Sequence, residues 1–120
     1  MATILAVDDS RSMLEMVSFT LKSAGHNVVN ACDGQEAFEK AQGMSADLVL
    51  TDVNMPKMDG ITLVRELRDC EAYRFTPMLM LTTESSAEKK KAGKDAGATG
   101  WIVKPFDPDS LIKTIDRVLG

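Results

Sequence analysis

The chain has 120 residues, of which 44% are hydrophobic and 27% charged, which is the size and composition of one domain over residues 1–120. Its 18 acidic and 14 basic side chains give a formal net charge of -4, so nothing attracts it generally to nucleic acid or anionic lipid. No apolar run approaches the ~20 residues that cross a bilayer, and no basic segment or cleavage site marks a secretion signal. We therefore expect a cytoplasmic protein with no nucleic-acid or membrane partner.

The cysteines and the single histidine exclude several kinds of site. Cys32 and Cys70 share no close spacing, so we expect both to be reduced and at least partly buried. His26 follows Gly25 at a predicted turn, and we expect it at the surface. One histidine excludes a multi-histidine zinc site and leaves only His26 itself as the base of a Ser-His-Asp triad.

Along the chain, short β-rich runs alternate with longer segments of helical period, which is typical of a parallel sheet covered by helices. Strands are predicted at residues 3–7, 28–29, 47–52, 77–82 and 101–103. The intervening helices carry start and stop signals: the first ends at Gly25, the second ends near Gly43, the third begins near Gly60, the fourth covers about 86–96, and the fifth opens with Asp107 as cap and Pro108. The near-continuous apolar strands indicate a sheet buried on both faces.

The apolar faces of the helices differ. Four residues of the first helix recur at three- and four-residue steps and are expected to be buried: Met13, Met16, Val17 and Leu21. A second buried face is predicted on the last helix: Leu111, Ile112, Ile115, Val118 and Leu119. The fourth helix offers only small residues there: Ala87, Ala92, Gly93 and Ala96. We therefore expect the fourth helix to be the least stable of the five.

Polar residues collect where the predicted strands end. Asp8 and Asp9 follow the first strand, Asp52 ends the third, Thr82 ends the fourth, and Lys104 follows the fifth. Ligands of such sheets bind beyond the carboxyl ends of the strands, so these residues are the candidate site.

Each of these residues also has an ordinary structural explanation. Asp9 or Ser10 could cap the first helix, Asp52 could begin a turn, and Thr82 could be a β-branched strand residue. Together they are harder to explain in that way, because three neighbouring carboxylates repel each other by ~1 kcal/mol or more per pair unless a cation neutralises them. The cluster therefore predicts a metal site.

Oxygen ligands with room for a phosphate favour Mg²⁺. A carboxylate next to Mg²⁺, a lysine and a hydroxyl can attack phosphorus, and the product is an acyl phosphate on an aspartate. A glycine-rich nucleotide loop is absent, because Gly93, Gly97 and Gly100 lack its spacing and its preceding strand.

With these features the chain resembles the receiver domain of two-component response regulators. Within that family it is most similar to the stand-alone, CheY-like chemotaxis regulators. The resemblance rests on VDDS at 7–10, TDVNMP at 51–56 with DG at 59–60, LT at 81–82 and VKPF at 103–106. It implies an α/β, doubly wound, flavodoxin-like (βα)5 fold: a five-stranded parallel sheet in the order 2-1-3-4-5, an order known for this family, with helices on both faces.

The resemblance also implies a role for each site residue. Asp52 matches the phosphoacceptor, which takes a phosphoryl group from the phosphohistidine of a histidine kinase. Asp9 matches a direct ligand of one Mg²⁺ per chain, together with Asp52 and the backbone carbonyl of Asn54, and Asp8 would act largely through water.

Four further positions belong to this site. Lys104 matches the lysine that pairs with the phosphoryl group, and its bond to Pro105 is cis in the family. Thr82 matches the switch hydroxyl. Asn54 and Glu84 hold the two variable positions that tune hydrolysis of the acyl phosphate.

Two residues depart from the family pattern. Trp101 stands at the switch position that is commonly Tyr or Phe, and its larger ring with a donor-only N–H is expected to restrict inward rotation. Thr83 stands where Ala or Gly is usual, and we expect its side chain to slow entry of phosphodonor or water.

A basic run on the fourth helix is either a solvated face or a partner surface: Lys89, Lys90, Lys91 and Lys94. The resemblance favours the second interpretation, because the fourth helix, fifth strand and fifth helix, including Trp101, are where such proteins meet a kinase or the flagellar motor switch. A phosphatase is a further partner in this family. We expect a monomer.

Two alternatives remain open. Within the receiver fold, the protein could be a phosphate sink or adaptor that drains a kinase without touching a motor. The distant alternative is a small haloacid-dehalogenase-type phosphohydrolase, which also forms an aspartyl phosphate. In that class the nucleophile lies on the first strand in an Asp-x-Asp arrangement, whereas Asp8 and Asp9 are adjacent. Apart from that alternative, we expect a signalling switch and not an enzyme.

Overall fold

A computed structural model describes all residues, 1–120. Five strands alternate with five helices: β1 (Thr3–Val7), α1 (Arg11–Ser23), β2 (Asn27–Ala31), α2 (Gly34–Gln42), β3 (Leu48–Thr51), α3 (Gly60–Arg68), β4 (Met78–Thr82), α4 (Ala87–Ala96), β5 (Gly100–Val103) and α5 (Pro108–Leu119). A short 3-10 helix at Glu71–Tyr73 was not predicted. All strand pairs are parallel and the order is β2-β1-β3-β4-β5, which confirms the predicted fold.

Alternate residues of each strand enter two separate cores, one on each face of the sheet. In β1, Leu5 and Val7 face the core that α2, α3 and α4 cover, and Ile4 and Ala6 face the core under α1 and α5. This alternation follows from the two-residue period of a strand. Helices on both faces leave the edge at the carboxyl ends of the strands as the open side of the sheet.

Each helix begins at that edge with a side-chain cap. The cap oxygen accepts a hydrogen bond from the backbone N–H three residues later, which satisfies one of the free donors of the first turn. The five capping residues are Ser10, Asp33, Asp59, Ser86 and Asp107. The caps hold the loops between strands and helices, which carry the candidate site, in a defined position.

The structure corrects several details of the sequence analysis. Met16 is 55% exposed, and Leu14 is buried on α1 in its place. Cys32 is exposed, whereas Cys70 is half-buried as expected. His26 is buried, because its Nδ1 accepts a hydrogen bond from the Ala2 N–H at 3.1 Å and so ties β1 to the start of β2.

One strand boundary and one helix face also differ. Strand β2 extends over Asn27–Ala31, because its backbone pairs with the whole of β1 although Asn27 and Asn30 are polar. On α5, only Leu111 and Ile115 are fully buried.

No helix of the structure has both the length and the hydropathy required to cross a membrane.

Candidate functional site

Strand pairing brings the predicted carboxylates together. Val7 lies opposite Thr51 in the pairing of β1 with β3, and the Asp52 N–H donates to the Val7 carbonyl oxygen at 2.9 Å. Asp8 and Asp9 therefore follow β1 beside Asp52. Carboxylate oxygens of these three residues lie within 4.8 Å of one another.

Lys104 reaches into this cluster from β5. Its backbone N–H donates to the Thr82 carbonyl oxygen at 2.8 Å, and its bond to Pro105 is cis, as the resemblance implied. Its Nζ lies 2.6 Å from Oδ2 of Asp8 and 3.2 Å from Oδ2 of Asp52, and its side chain is 9% exposed. Burial of the ammonium lowers the pKa of Lys104, but the hydrogen bond to Asp8 and the nearby carboxylates outweigh burial and raise it above its ordinary value.

The two acidic residues after β1 differ in their surroundings. The Asp8 carboxylate is buried, and it accepts from the Ser10 N–H at 2.9 Å through Oδ1 as well as from Lys104 through Oδ2. The Asp9 carboxylate is exposed, and no hydrogen bond or ion pair within the protein engages it. Asp9 therefore has free oxygens for an external cation, whereas Asp8 is occupied by partners in the protein.

The donor set fits a hard divalent cation. All three side chains offer carboxylate oxygens, and one lysine cannot neutralise three carboxylates so close together. Oxygen-only ligation selects Mg²⁺ or Ca²⁺ over softer metals, and Mg²⁺ suits sites with few carboxylates and retained waters.

The backbone of Asp52 is held tightly, in a way that the sequence analysis missed. The fully buried Thr51 donates its hydroxyl to the Asp52 carbonyl oxygen at 2.9 Å. Gly60, the first residue of α3, packs so closely against this carbonyl that a Cβ atom there would overlap its oxygen. The sequence did contain a signal for this contact, because Thr51 places a hydroxyl directly before Asp52 at the end of the strand.

A chain of contacts links Thr82 to Trp101. Thr82 is fully buried, and its Oγ1 accepts from the Glu84 N–H at 3.2 Å. The carbonyl oxygen of Glu84 accepts from the Trp101 Nε1–H at 2.9 Å. The loop after β4 is therefore tied at one end to the candidate switch hydroxyl and at the other to the indole of β5.

The positions predicted to tune hydrolysis lie in the loops that follow β3 and β4. Thr83 and Asn54 are exposed and Glu84 is half-buried. Hydrogen bonds from Ser86 lower the pKa of the Glu84 carboxyl, with smaller contributions from Asn54 and Lys89. Glu84 and Asn54 therefore come from different loops and lie close to each other.

The basic face predicted on α4 is present and exposed. Lys89, Lys90 and Lys94 form no salt bridge, whereas Lys91 pairs with Asp95 at 3.0 Å. Six residues line a surface cavity of about 250 Å³ between α4 and β5: Lys90, Lys94, Ala98, Thr99, Gly100 and Trp101. The larger cavities lie elsewhere, one of about 530 Å³ between α1 and α5 and one of about 500 Å³ at the amino ends of the strands.

Together the fold and the site define a doubly wound α/β protein with a carboxylate cluster, a lysine and a buried hydroxyl at the carboxyl edge of its sheet. Residues 4–116 match the response regulator receiver domain. The chain belongs to this family, whose members bind Mg²⁺ at an acidic pocket, take phosphoryl groups from histidine kinases and act as signalling switches on output partners.

Two of the relatives are chemotaxis proteins of the CheY type. The chain is 38% identical to chemotaxis protein CheY1 of Helicobacter pylori, covering 98% of this chain and 96% of that protein. It superposes on chemotaxis protein CheY4 of Vibrio cholerae with a TM-score of 0.94 at 56% identity, covering 98% of each chain.

A third relative is the receiver domain of sensor histidine kinase PA1611 from Pseudomonas aeruginosa, solved with a magnesium ion coordinated in its active site cleft. It is 28% identical with a TM-score of 0.92, over 99% of this chain and 98% of that one. The chain spans only 15%, 48% and 49% of three other curated relatives, which are longer regulatory proteins.

Proposed function

We propose that Asp52 accepts a phosphoryl group from the phosphohistidine of a histidine kinase in a Mg²⁺-dependent reaction. The observation that carries this proposal is the position of the Asp52 carboxylate. It lies at the open edge of the sheet, with Lys104 at 3.2 Å and two further carboxylates beside it.

In the transfer step, an oxygen of the Asp52 carboxylate attacks phosphorus as the P–N bond of the donor breaks. The electron pair of that bond leaves with the imidazole, and Asp52 becomes an acyl phosphate. Lys104 then pairs with a phosphoryl oxygen, and the Thr82 hydroxyl donates to another. Water later attacks the phosphorus, the bond between the Asp52 oxygen and phosphorus breaks, and inorganic phosphate leaves as the carboxylate is regenerated.

Asp9, Asp52 and the backbone carbonyl of Asn54 would hold the Mg²⁺ ion, and Asp8 would contribute largely through water. When bound, the ion supplies positive charge that offsets the negative charge of the phosphoryl oxygens. The exposed, unpaired carboxylate of Asp9 supports this assignment. Asp8 also holds the Lys104 ammonium near Asp52.

Three residues at the mouth would set the lifetime of the phosphate: Asn54, Thr83 and Glu84. Each lies at least partly exposed at the opening through which water must reach the phosphorus. The methyl and hydroxyl groups of Thr83 narrow this opening more than the usual Ala or Gly would.

We place the output surface on α4, β5 and α5, with Trp101 and the exposed lysines Lys89, Lys90, Lys91 and Lys94 at its centre. The resemblance to proteins named CheY1 and CheY4 supports a chemotaxis role, with a chemotaxis kinase as donor and the flagellar motor switch as target. An acidic or amphipathic segment would complement the lysines. A monomer that works in the cytoplasm and is reset by a phosphatase fits this role.

The alternative role is a phosphate sink or adaptor that drains the kinase. The Trp101 indole, which hydrogen-bonds to the loop after β4, favours this alternative, because the bond resists rotation of the ring. Binding experiments separate the roles: a motor binder gains affinity for a motor switch protein on phosphorylation, and Lys90→Glu with Lys94→Glu removes the gain. Lys22→Glu, on α1, is the matched control.

The chemistry is tested by intact mass after incubation with acetyl phosphate, with and without Mg²⁺. We expect the wild type to gain one phosphoryl mass only with Mg²⁺, and Asp52→Asn to gain none. Asp69→Asn, an exposed aspartate at the end of α3, is the control and should behave as the wild type. A gain that persists in Asp52→Asn but vanishes in Asp8→Asn would move the nucleophile to β1 and overturn the proposal.

A further inference from the structure

The last residue of α3, Arg68, binds carbonyl oxygens from two separate segments. Its Nη1 lies 2.8, 3.0 and 2.7 Å from the carbonyl oxygens of Tyr73, Arg74 and Thr76. Its Nε and Nη2 donate to the Gly97 carbonyl oxygen at 3.1 and 2.9 Å. No carboxylate forms a salt bridge with Arg68, so all hydrogen bonds of its guanidinium go to backbone carbonyl oxygens.

Gly97 is the residue at which α4 ends. Its φ of 112° lies in the left-handed region, and the N–H of Ala98 returns to the Gly93 carbonyl oxygen at 3.0 Å, which closes the helix. A Cβ atom on Gly97 would lie 2.9 Å from Cγ of Arg68, so the arginine side chain fills the space that glycine leaves. The positive guanidinium also faces the negative end of the α4 dipole.

The amino-terminal half of α4 has no comparable contacts. Residues 87–91 are all exposed, and the buried residues of the helix are Gly93 and Ala96, in its second half. The Trp101 ring packs against Gly93, where a Cβ atom would lie 2.7 Å from Cζ3 of the indole. The helix is therefore packed at one end and held at the other mainly by its Ser86 cap.

We propose that Arg68 is a positioning residue that anchors the carboxyl end of α4, so that phosphorylation moves only the loop after β4 and the first half of the helix, residues 83–91. The anchor stands on the geometry of the unphosphorylated protein, whereas the confined movement rests on the proposed function. A lysine cannot replace the arginine, because one ammonium cannot present the planar fork that spans Gly97 and the Tyr73–Thr76 turn.

The anchor is tested first without any phosphodonor, by residue-resolved hydrogen exchange of the wild type, Arg68→Lys and Arg65→Lys. Arg65 is exposed one turn earlier on the same helix and is the matched control. We expect Arg68→Lys to exchange the Gly97 and Ala98 amides about tenfold faster, the effect of losing one hydrogen bond to a charged group. Arg65→Lys should leave them unchanged.

Because Arg68→Lys could lower global stability, each rate is compared with that of the Leu79 amide in β4. A rise at Gly97 and Ala98 beyond the rise at Leu79 supports the anchor. Equal rises at all three amides, or none at Gly97 and Ala98, overturn it.

The confined movement is tested by repeating hydrogen exchange with acetyl phosphate and Mg²⁺, on samples whose phosphoryl mass is verified. In the wild type we expect changes within residues 83–91 and none within 93–98, whereas in Arg68→Lys they should extend into 93–98. Equal changes along the whole of α4 in the wild type overturn the confined movement. Absence of the phosphoryl mass counts against the proposed function and leaves the anchor result standing.

Discussion

Replacing Gly60 by alanine should damage the backbone that presents Asp52. A Cβ atom at Gly60 would overlap the Asp52 carbonyl oxygen and lie 2.9 Å from the carbonyl carbon and 3.1 Å from Cα of Val53. These are backbone atoms of the loop that carries Asp52, the proposed phosphoacceptor, so no flexible side chain can move aside. Either α3 or the Asp52 loop must shift.

The size of the effect follows from the contacts that this shift would stretch. Overpacking a close contact costs about 1–3 kcal/mol. The shift also strains the Gly60 N–H bond to the Val53 carbonyl at 2.8 Å and the Thr51 hydroxyl bond to the Asp52 carbonyl at 2.9 Å. At about 1 kcal/mol each when lost, and partly offset by the higher helix propensity of alanine, these changes give a destabilisation of about 2–4 kcal/mol.

The free energy of unfolding is measured by urea titration, and the phosphorylated fraction by intact mass. Gly43→Ala is the matched control: this glycine also borders a helix, has a φ of -103°, and its Cβ would find only the Lys40 carbonyl oxygen at 3.9 Å. The control should change stability by less than about 0.5 kcal/mol. If Gly60→Ala is no more destabilising than Gly43→Ala, the close packing of α3 on the Asp52 carbonyl is wrong.

Three further predictions concern separate parts of the molecule. In the absence of metal, Asp9→Asn should raise the free energy of unfolding by roughly 0.5–1 kcal/mol, because one of three repelling carboxylates is removed. It should also abolish the rise in Tm that Mg²⁺ produces. A retained effect of Mg²⁺ on Tm contradicts the role of Asp9 as a ligand. Tyr73→Phe should cost about 1–3 kcal/mol in urea titration, because its buried hydroxyl contacts the Ala41 and Met44 carbonyls at 2.7 and 2.9 Å; a neutral result refutes this. Thr83→Ala should shorten the lifetime of the phosphorylated protein, and unchanged decay would remove the argument that Thr83 narrows the mouth.

The alternation of strands and helices was readable from the chain because each element carries its own local pattern. The strand at 48–51 begins with three consecutive apolar residues, and Asp107 and Pro108 mark the start of α5. The position of the polar residues at strand ends then placed Asp8, Asp52 and Lys104 at one edge of the sheet. The short contacts between Lys104 and both aspartates confirm that juxtaposition.

Burial of individual polar residues was less readable, because it depends on partners distant in the chain. His26 follows a turn and looks like a surface residue, but the Ala2 N–H, 24 residues earlier, needs its Nδ1 as an acceptor. Cys32 begins the loop before α2 and remains exposed although cysteine is usually buried. Met16 has the spacing of a core residue, but the strip of α1 that meets the sheet is set by packing against α5 and β2.

The sequence by itself therefore determined the element order, the Asp107 cap of α5, the parallel sheet and the residue types of the site, since these depend on periodicity and local hydrogen bonding. Only the tertiary structure decided which backbone atoms are held and by what: Thr51 and Gly60 on the Asp52 carbonyl, and Arg68 on Gly97. Those contacts join α3 to the site at one end and to α4 at the other. They depend on the angle and distance at which helices pack on a twisted sheet, which no local pattern encodes.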